Sequence, residues 1–151
     1  MTEAIDTHAA RKAWMSVLAK APEGRVAALL DAALTRPAFS WLRGPEIGSV
    51  MVRGRAGGTG ASFNIGEMTV TRCALRLASG QVGHAYIQGR RKACAEAAAL
   101  VDALMQTGTA ETIRTRVLEP LQSERDAVRA ARAAKAAATK VDFFTMVRGE
   151  D

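Results

Sequence analysis

The stretch GEMTVTRCALRLASGQVGHAYIQGRRKACAEAAALVDALMQ, residues 66–106, decides the fold. It reads strand, tight turn, strand, helix. The first strand runs from about Glu67 to Ala78, and its apolar positions change parity, from Met68 and Val70 to Cys73, Leu75 and Leu77. Such a switch calls for a bulge or for a strand covered on both faces. Ser79, Gly80 and Gln81 turn the chain into a partner strand from Val82 to Gln88, which gives an antiparallel hairpin. Alternation sets His84, Tyr86 and Gln88 on one face, with Ala85 and Ile87 on the other. Gly89 closes that strand. A helix from Arg90 to about Gln106 then carries its alanines, Leu100, Val101, Leu104 and Met105 on a narrow apolar face, until Gly108 stops it.

Upstream lies more strand character, around Trp41 and Leu42 and again from Ser49 to Arg55, where Val50 and Val52 alternate with Met51 and Arg53. Two helices precede it. Asp6 or Thr7 can cap the first, in which Ala10, Ala13, Trp14, Val17 and Leu18 recur at helical spacing. Pro22 and Gly24 interrupt it, and a second follows with Val26, Leu29, Leu30, Ala33 and Leu34 on one face before Pro37. These two are expected to pack as a hairpin. Downstream, a helical region from Thr109 is broken or entered at Pro120 and continues as the basic, alanine-rich stretch Glu124 to Ala138. The fold class is therefore α+β: an antiparallel sheet with an N-terminal helical hairpin and C-terminal helices, in a single domain spanning residues 1–151. The segment 139–151 contains VDFFTMVRGED, too short to build its own core. Phe143, Phe144 and Met146 mark it as a partner-docking tail.

Charge is concentrated in the same region. Between Arg43 and Lys92 stand Arg43, Arg53, Arg55, Arg72, Arg76, Arg90, Arg91 and Lys92 against only Glu46 and Glu67, a net +6 that equals the charge of the whole chain. Everything outside that window cancels. A localised field of this kind concentrates anions, whether nucleic acid, membrane headgroups or a phosphorylated small molecule.

The 151 residues are 48% hydrophobic and 5% aromatic, enough for one domain with an alanine-rich core that a partner can complete. No apolar run is long enough to span a bilayer, and the start, MTEAIDTHAARKAW, lacks a secretory pattern, so a cytoplasmic location without membrane attachment is expected. Cys73 and Cys94 are too few and too far apart for a CxxC metal or redox site and read as ordinary small side chains. No metal site is expected.

Several motifs carry two readings each. The run RGRAGGTGASFNIGE resembles a phosphate cradle, yet it has no lysine and hydroxyl for a P-loop, and Phe63 stands where GxGxxG needs its third glycine. A hairpin loop is the plainer reading. Arg90, Arg91 and Lys92 stand in the first turn of a helix, where cations oppose the macrodipole unless an anion sits between them and the free amides. The alternative is that their side chains reach into solvent. His84, with Tyr86 and Gln88 beside arginines, can bind or protonate a polar ligand or serve structure alone. Glu67 fits an arginine partner better than a hydrated magnesium ion. Arg125, Arg129 and Arg132 on one helix can meet RNA or form a solvated face. The anion-binding or substrate-binding candidates are thus Arg53, Arg55, Arg72, His84, Arg90, Arg91 and Lys92. No pattern of catalytic residues emerges.

The stretch LRGPEIGSVMVRGRAGGTGASFNIGEMTVTRCALRLASGQVGHAYIQGR, from Leu42 to Arg90, together with the ending ATKVDFFTMVRGED, resembles the PhnG family, subunits of the bacterial carbon-phosphorus lyase system. The resemblance implies a small cytosolic subunit of a multiprotein core complex, not active alone. With relatives of PhnI, PhnH and PhnL, such a subunit takes part in displacing adenine from MgATP by an alkylphosphonate, giving α-D-ribose 1-alkylphosphonate 5-triphosphate. A relative of PhnJ later cleaves the carbon-phosphorus bond. MgATP is then a substrate of the complex, with no cofactor held by this subunit alone and no nucleic acid among its partners. The family supplies no catalytic residue set to carry over, and the nucleosidase chemistry is expected to centre on PhnI. A small basic RNA-binding protein is the alternative from another class, and a free-standing phosphate-ester enzyme a third.

Overall fold

The computed structural model describes residues 2–140, with side chains from His8 onward. The elements run α1 (Thr2–Ala19), α2 (Arg25–Ala33), β1 (Phe39–Arg55), β2 (Ser62–Leu77), β3 (Val82–Gln88), α3 (Lys92–Leu104), α4 (Ala110–Ile113) and α5 (Glu119–Ala138). The three strands form one antiparallel sheet in the order β1-β2-β3. This is the expected α+β arrangement.

α3 lies across one face of the sheet, on Thr71, Cys73, Leu75 and Leu77 of β2 and Ala85 and Ile87 of β3, all buried. Its buried alanines, Ala95, Ala97, Ala98, Ala99 and Ala103, permit a close approach. At Gly83 the approach leaves no room at all, since an added Cβ would stand 1.9 Å from the Ala99 carbonyl oxygen. On its far side α3 meets α2 and α4, and α2 meets the segment that follows α4, placing Leu30, Ile113 and Val117 with Leu75, Leu100 and Val101 in the fully buried centre. α1 runs against α3 and the free edge of β3. The two N-terminal helices each make more contact with α3 than with one another.

Boundaries differ from the sequence reading in instructive ways. α1 begins by Thr2, so Asp6 and Thr7 fall inside it rather than capping it; no proline or glycine precedes Pro22 to delay the start. The two upstream strands are one, β1, whose register against β2 slips between Trp41 and Arg43 and between Arg43 and Glu46. Extra residues absorbed there, around Gly44 and Pro45, hide the strand's continuity from a period-2 pattern. β2 starts at Ser62, earlier than expected, and its parity switch is not a bulge: adjacent Val70 and Thr71 are buried on opposite faces. Pro120 does not break the last helix. The chain widens into a π-helical segment, Arg114–Leu118, which accommodates the hydrogen bond that proline cannot make and continues directly into α5.

Ion pairs staple the helices. Arg25 on α2 grips Glu124 on α5 through both carboxylate oxygens. That hydrogen-bonded guanidinium holds the Glu124 carboxyl below its ordinary value. A depressed carboxyl contributes stability above its unfolded-state pKa and loses it as the pH falls through the folded value. Glu124→Gln is therefore expected to lower the melting temperature slightly at neutral pH, with the gap to wild type closing below the carboxylate range. A gap unchanged in acid would show that packing, not charge, joins α2 to α5.

Candidate functional site

Among the described residues no helix lies across the face of the sheet away from α3, which α1 meets only at the β3 edge, and on it the strand register lines up side chains in rows. One row is Glu46, Arg72, Tyr86; the next is Arg43, Ala74, His84. Ala74 is small, so the second row leaves a hollow of about 330 Å³ walled by Arg43, Arg72, His84, Tyr86 and Met15 of α1. A second hollow of about 230 Å³ continues along the β3 edge past Lys12, Met15 and Ser16. Together they form a groove with cations along it, one imidazole and one phenol that is 47% exposed.

Glu46 stands between the two arginines, 3.4 Å from Arg72 and 3.8 Å from Arg43. This is the partner role that sequence reasoning gave to Glu67. Glu67 instead lies opposite Met51, and among the described residues it makes no ion pair. All three groups of the Arg43, Glu46 and Arg72 cluster are about half exposed, so the pairs are weak and an anionic ligand can take the carboxylate's place.

The position of His84 is set from behind, through its backbone. Its N–H donates to Asp102 Oδ2 at 2.9 Å. Asp102, fully buried on α3, also accepts from Arg11 at 2.7 and 3.1 Å and from Trp14 Nε1 at 2.8 Å. Arg11 in turn donates to the Val82 carbonyl, as does Gln106. The open edge of β3 is thus met at Val82 and His84 by one carboxylate, one guanidinium and one side-chain amide. Sequence reasoning missed this hub, although a lone aspartate among the alanines and leucines of an apolar helix face was the available signal.

The other candidates lie elsewhere. Arg53 and Arg55 sit near the tip of the β1–β2 hairpin, bonded to Ser62 Oγ and the Gly60 carbonyl. Arg53 pairs in register with Asn64, eight residues along β2 from Arg72, or about 26 Å at strand rise. The glycine-rich run between them is a hairpin loop, with Gly57 and Gly58 at positive φ. Arg90, Arg91 and Lys92 fall at the β3–α3 junction, on the helix side of the sheet, but the helix begins at Lys92 and not at Arg90, so Arg90 and Arg91 precede the first turn expected to hold them. There the buried Thr71 hydroxyl donates to the Gly89 carbonyl and accepts from the Arg91 N–H, fixing the turn into α3. The seven candidates therefore occupy three places, and only Arg72 and His84 share the groove. Phe143, Phe144 and Met146 lie outside the described residues.

The remaining signals are structural. Burial pushes the Cys73 thiol up to about 11, which keeps it protonated and unreactive, and Cys94 is half-buried. Arg129 and Arg132 form part of a solvated face on α5. Among the described residues no helix is long and apolar enough to cross a membrane.

The family model for the phosphonate metabolism protein PhnG matches residues 9–149. A curated relative from Rhizobium meliloti (strain 1021), named alpha-D-ribose 1-methylphosphonate 5-triphosphate synthase subunit PhnG, is 45% identical over 143 residues, covering 95% of this chain and 92% of its own. A match of that extent takes in every element from α1 to α5, the groove and the Asp102 hub together, and places the chain in the PhnG family of phosphonate metabolism proteins.

Proposed function

We propose that this chain is a cytoplasmic subunit of an α-D-ribose 1-methylphosphonate 5-triphosphate synthase. In this reading it acts with relatives of PhnI, PhnH and PhnL in displacing adenine from MgATP by an alkylphosphonate, upstream of a PhnJ relative that cleaves the carbon-phosphorus bond. The observation that carries it is the 45% identity, over nearly the full length of both chains, to a subunit of that name. The groove supports it chemically, because substrate and product of such a reaction are polyanions. Arg43, Arg72 and Lys12 supply cations, and Tyr86 supplies a ring face and a hydroxyl. Binding and orienting are what these groups do; bond-breaking is assigned to a partner. The tail with Phe143, Phe144 and Met146 adds docking contacts.

The test is a reconstituted synthase assayed for adenine release. Leaving this chain out should abolish release, and Arg72→Gln should raise KM for the anionic substrate about tenfold, the loss of one charge-assisted hydrogen bond, with assembly intact. His84→Gln should keep most of the activity. Full adenine release without the chain would sink the subunit reading, and an unchanged KM for Arg72→Gln would remove the groove from it. RNA binding that weakens steeply with salt would favour the nucleic-acid alternative instead.

A further inference from the structure

Beyond the last β3 contact, from the Gly89 N–H to the Thr69 carbonyl, β1 and β2 pair only with each other among the described residues, and none of residues 49–69 is buried. An isolated two-stranded ribbon is marginal in water. This one is also two-faced. Val50 pairs with Met68 and Val52 with Gly66, while a register slip after Val52 makes Ile65 the extra residue on β2. The Ile65 side chain folds over Gly54, where an added Cβ would meet Ile65 Cδ1 at 2.5 Å. Val50, Val52, Phe63, Ile65 and Met68 thereby share one face, with Phe63 50% and Ile65 64% exposed. The slip gathers the apolar side chains into a strip. Met51, Arg53 and Arg55 alternate onto the other face, where both arginines bond to neutral oxygens and, among the described residues, form no ion pair, not even with Glu67 opposite Met51.

We propose that this ribbon is a docking arm, held in a cleft of another polypeptide of the synthase whose one wall is apolar, against the strip, and whose other wall carries carboxylates, against Arg53 and Arg55. The strip supplies the apolar contact, and the two arginines without an ion pair on the opposite face specify the acidic wall. The proposal rests on the subunit reading and adds to it the surface and the chemistry of the partner. It also moves Arg53 and Arg55 from substrate binding to assembly, and leaves the groove at the ribbon's root open.

The experiment compares assembly of the wild-type chain, a Phe63→Asp/Ile65→Glu double variant and an Arg53→Glu/Arg55→Glu double variant with the other synthase subunits, by titration and by hydrogen exchange. The apolar variant should assemble at least about a hundredfold more weakly, with the melting temperature of the isolated chain unchanged because both side chains are exposed. Charge reversal should weaken assembly about tenfold or more, and less so at high salt. Amides of residues 50–55 and 62–68 should gain protection in the wild-type complex. Normal assembly of the apolar variant, no gain in protection, or an isolated chain that dimerises through the ribbon would overturn the docking arm. Indifference to charge reversal would overturn the acidic partner. A wild-type chain that joins no synthase subunit would bring down the subunit reading and this proposal with it, an outcome distinct from the others.

Discussion

Asp102→Ala is expected to destabilise the protein by about 3 to 5 kcal/mol, the range for removing one partner of a buried ion pair. Four donated hydrogen bonds lose their acceptor at once: two from Arg11, one from the Trp14 indole and one from the backbone of His84. Arg11 is 29% exposed at its side chain and recovers some hydration, which favours the lower half of that range. The Trp14 and His84 N–H groups regain water only if α1 lifts from the edge of β3. For a chain of this length the loss corresponds to roughly 6 to 20 °C in melting temperature. Asp102→Asn keeps the shape and one acceptor oxygen and should fall between. A drop below about 1 kcal/mol for the alanine variant would show that α1 holds to the sheet by packing alone. The groove should suffer with the fold, since α1 supplies Lys12, Met15 and Ser16 to one wall and Asp102 positions His84 on the other.

Gly83→Ala is expected to cost about 3 kcal/mol, the upper end for overpacking a core, although it adds a single methyl group. The new Cβ would stand 1.9 Å from the Ala99 carbonyl oxygen, 2.8 Å from the Ala103 nitrogen and 2.9 Å from the Ala103 Cβ. Two of these are backbone atoms of α3, which can yield only if the helix slides off the sheet. Gly83 is not among the glycines at positive φ, so the penalty is steric and not conformational. Gly83→Val should prevent folding. Gly48→Ala is the matched control on the same sheet: nothing lies within 4 Å of its added Cβ, and the change should stay within about 0.5 kcal/mol of neutral. Equal melting temperatures for the Gly83→Ala and Gly48→Ala variants would refute the close approach of β3 to α3.

The two positions show which parts of the molecule a sequence discloses. Gly83 was visible in it as one more glycine in a strand, and Asp102 as one more acid in a helix. Gly83 has no local signature of its importance and Asp102 only its place on an apolar helix face, because the clash and the hydrogen bonds depend on residues far along the chain, 91 away in the case of Arg11 and Asp102. Charge behaved in the same way. The basic window was legible at once, but strand register placed Arg72 beside His84 and Tyr86, sent Arg53 and Arg55 to a hairpin tip, and put Arg90, Arg91 and Lys92 on the helix side of the sheet.

By itself the sequence determined the strand, turn, strand and helix of residues 66–106, the α+β class and the faces of β3. Side-chain periods of 2 and 3.6 and the glycine stops are set by neighbours within a few residues. Through the run from Leu42 to Arg90 it also pointed to the family. Only the tertiary structure decided that β1 is continuous across its slips, that the helix runs on through Pro120, and that a buried carboxylate meets the sheet edge. It alone decided which cations share a groove. Each of these depends on where an extra residue is absorbed or which distant group lies opposite, and a single-residue slip moves every later side chain to the other face.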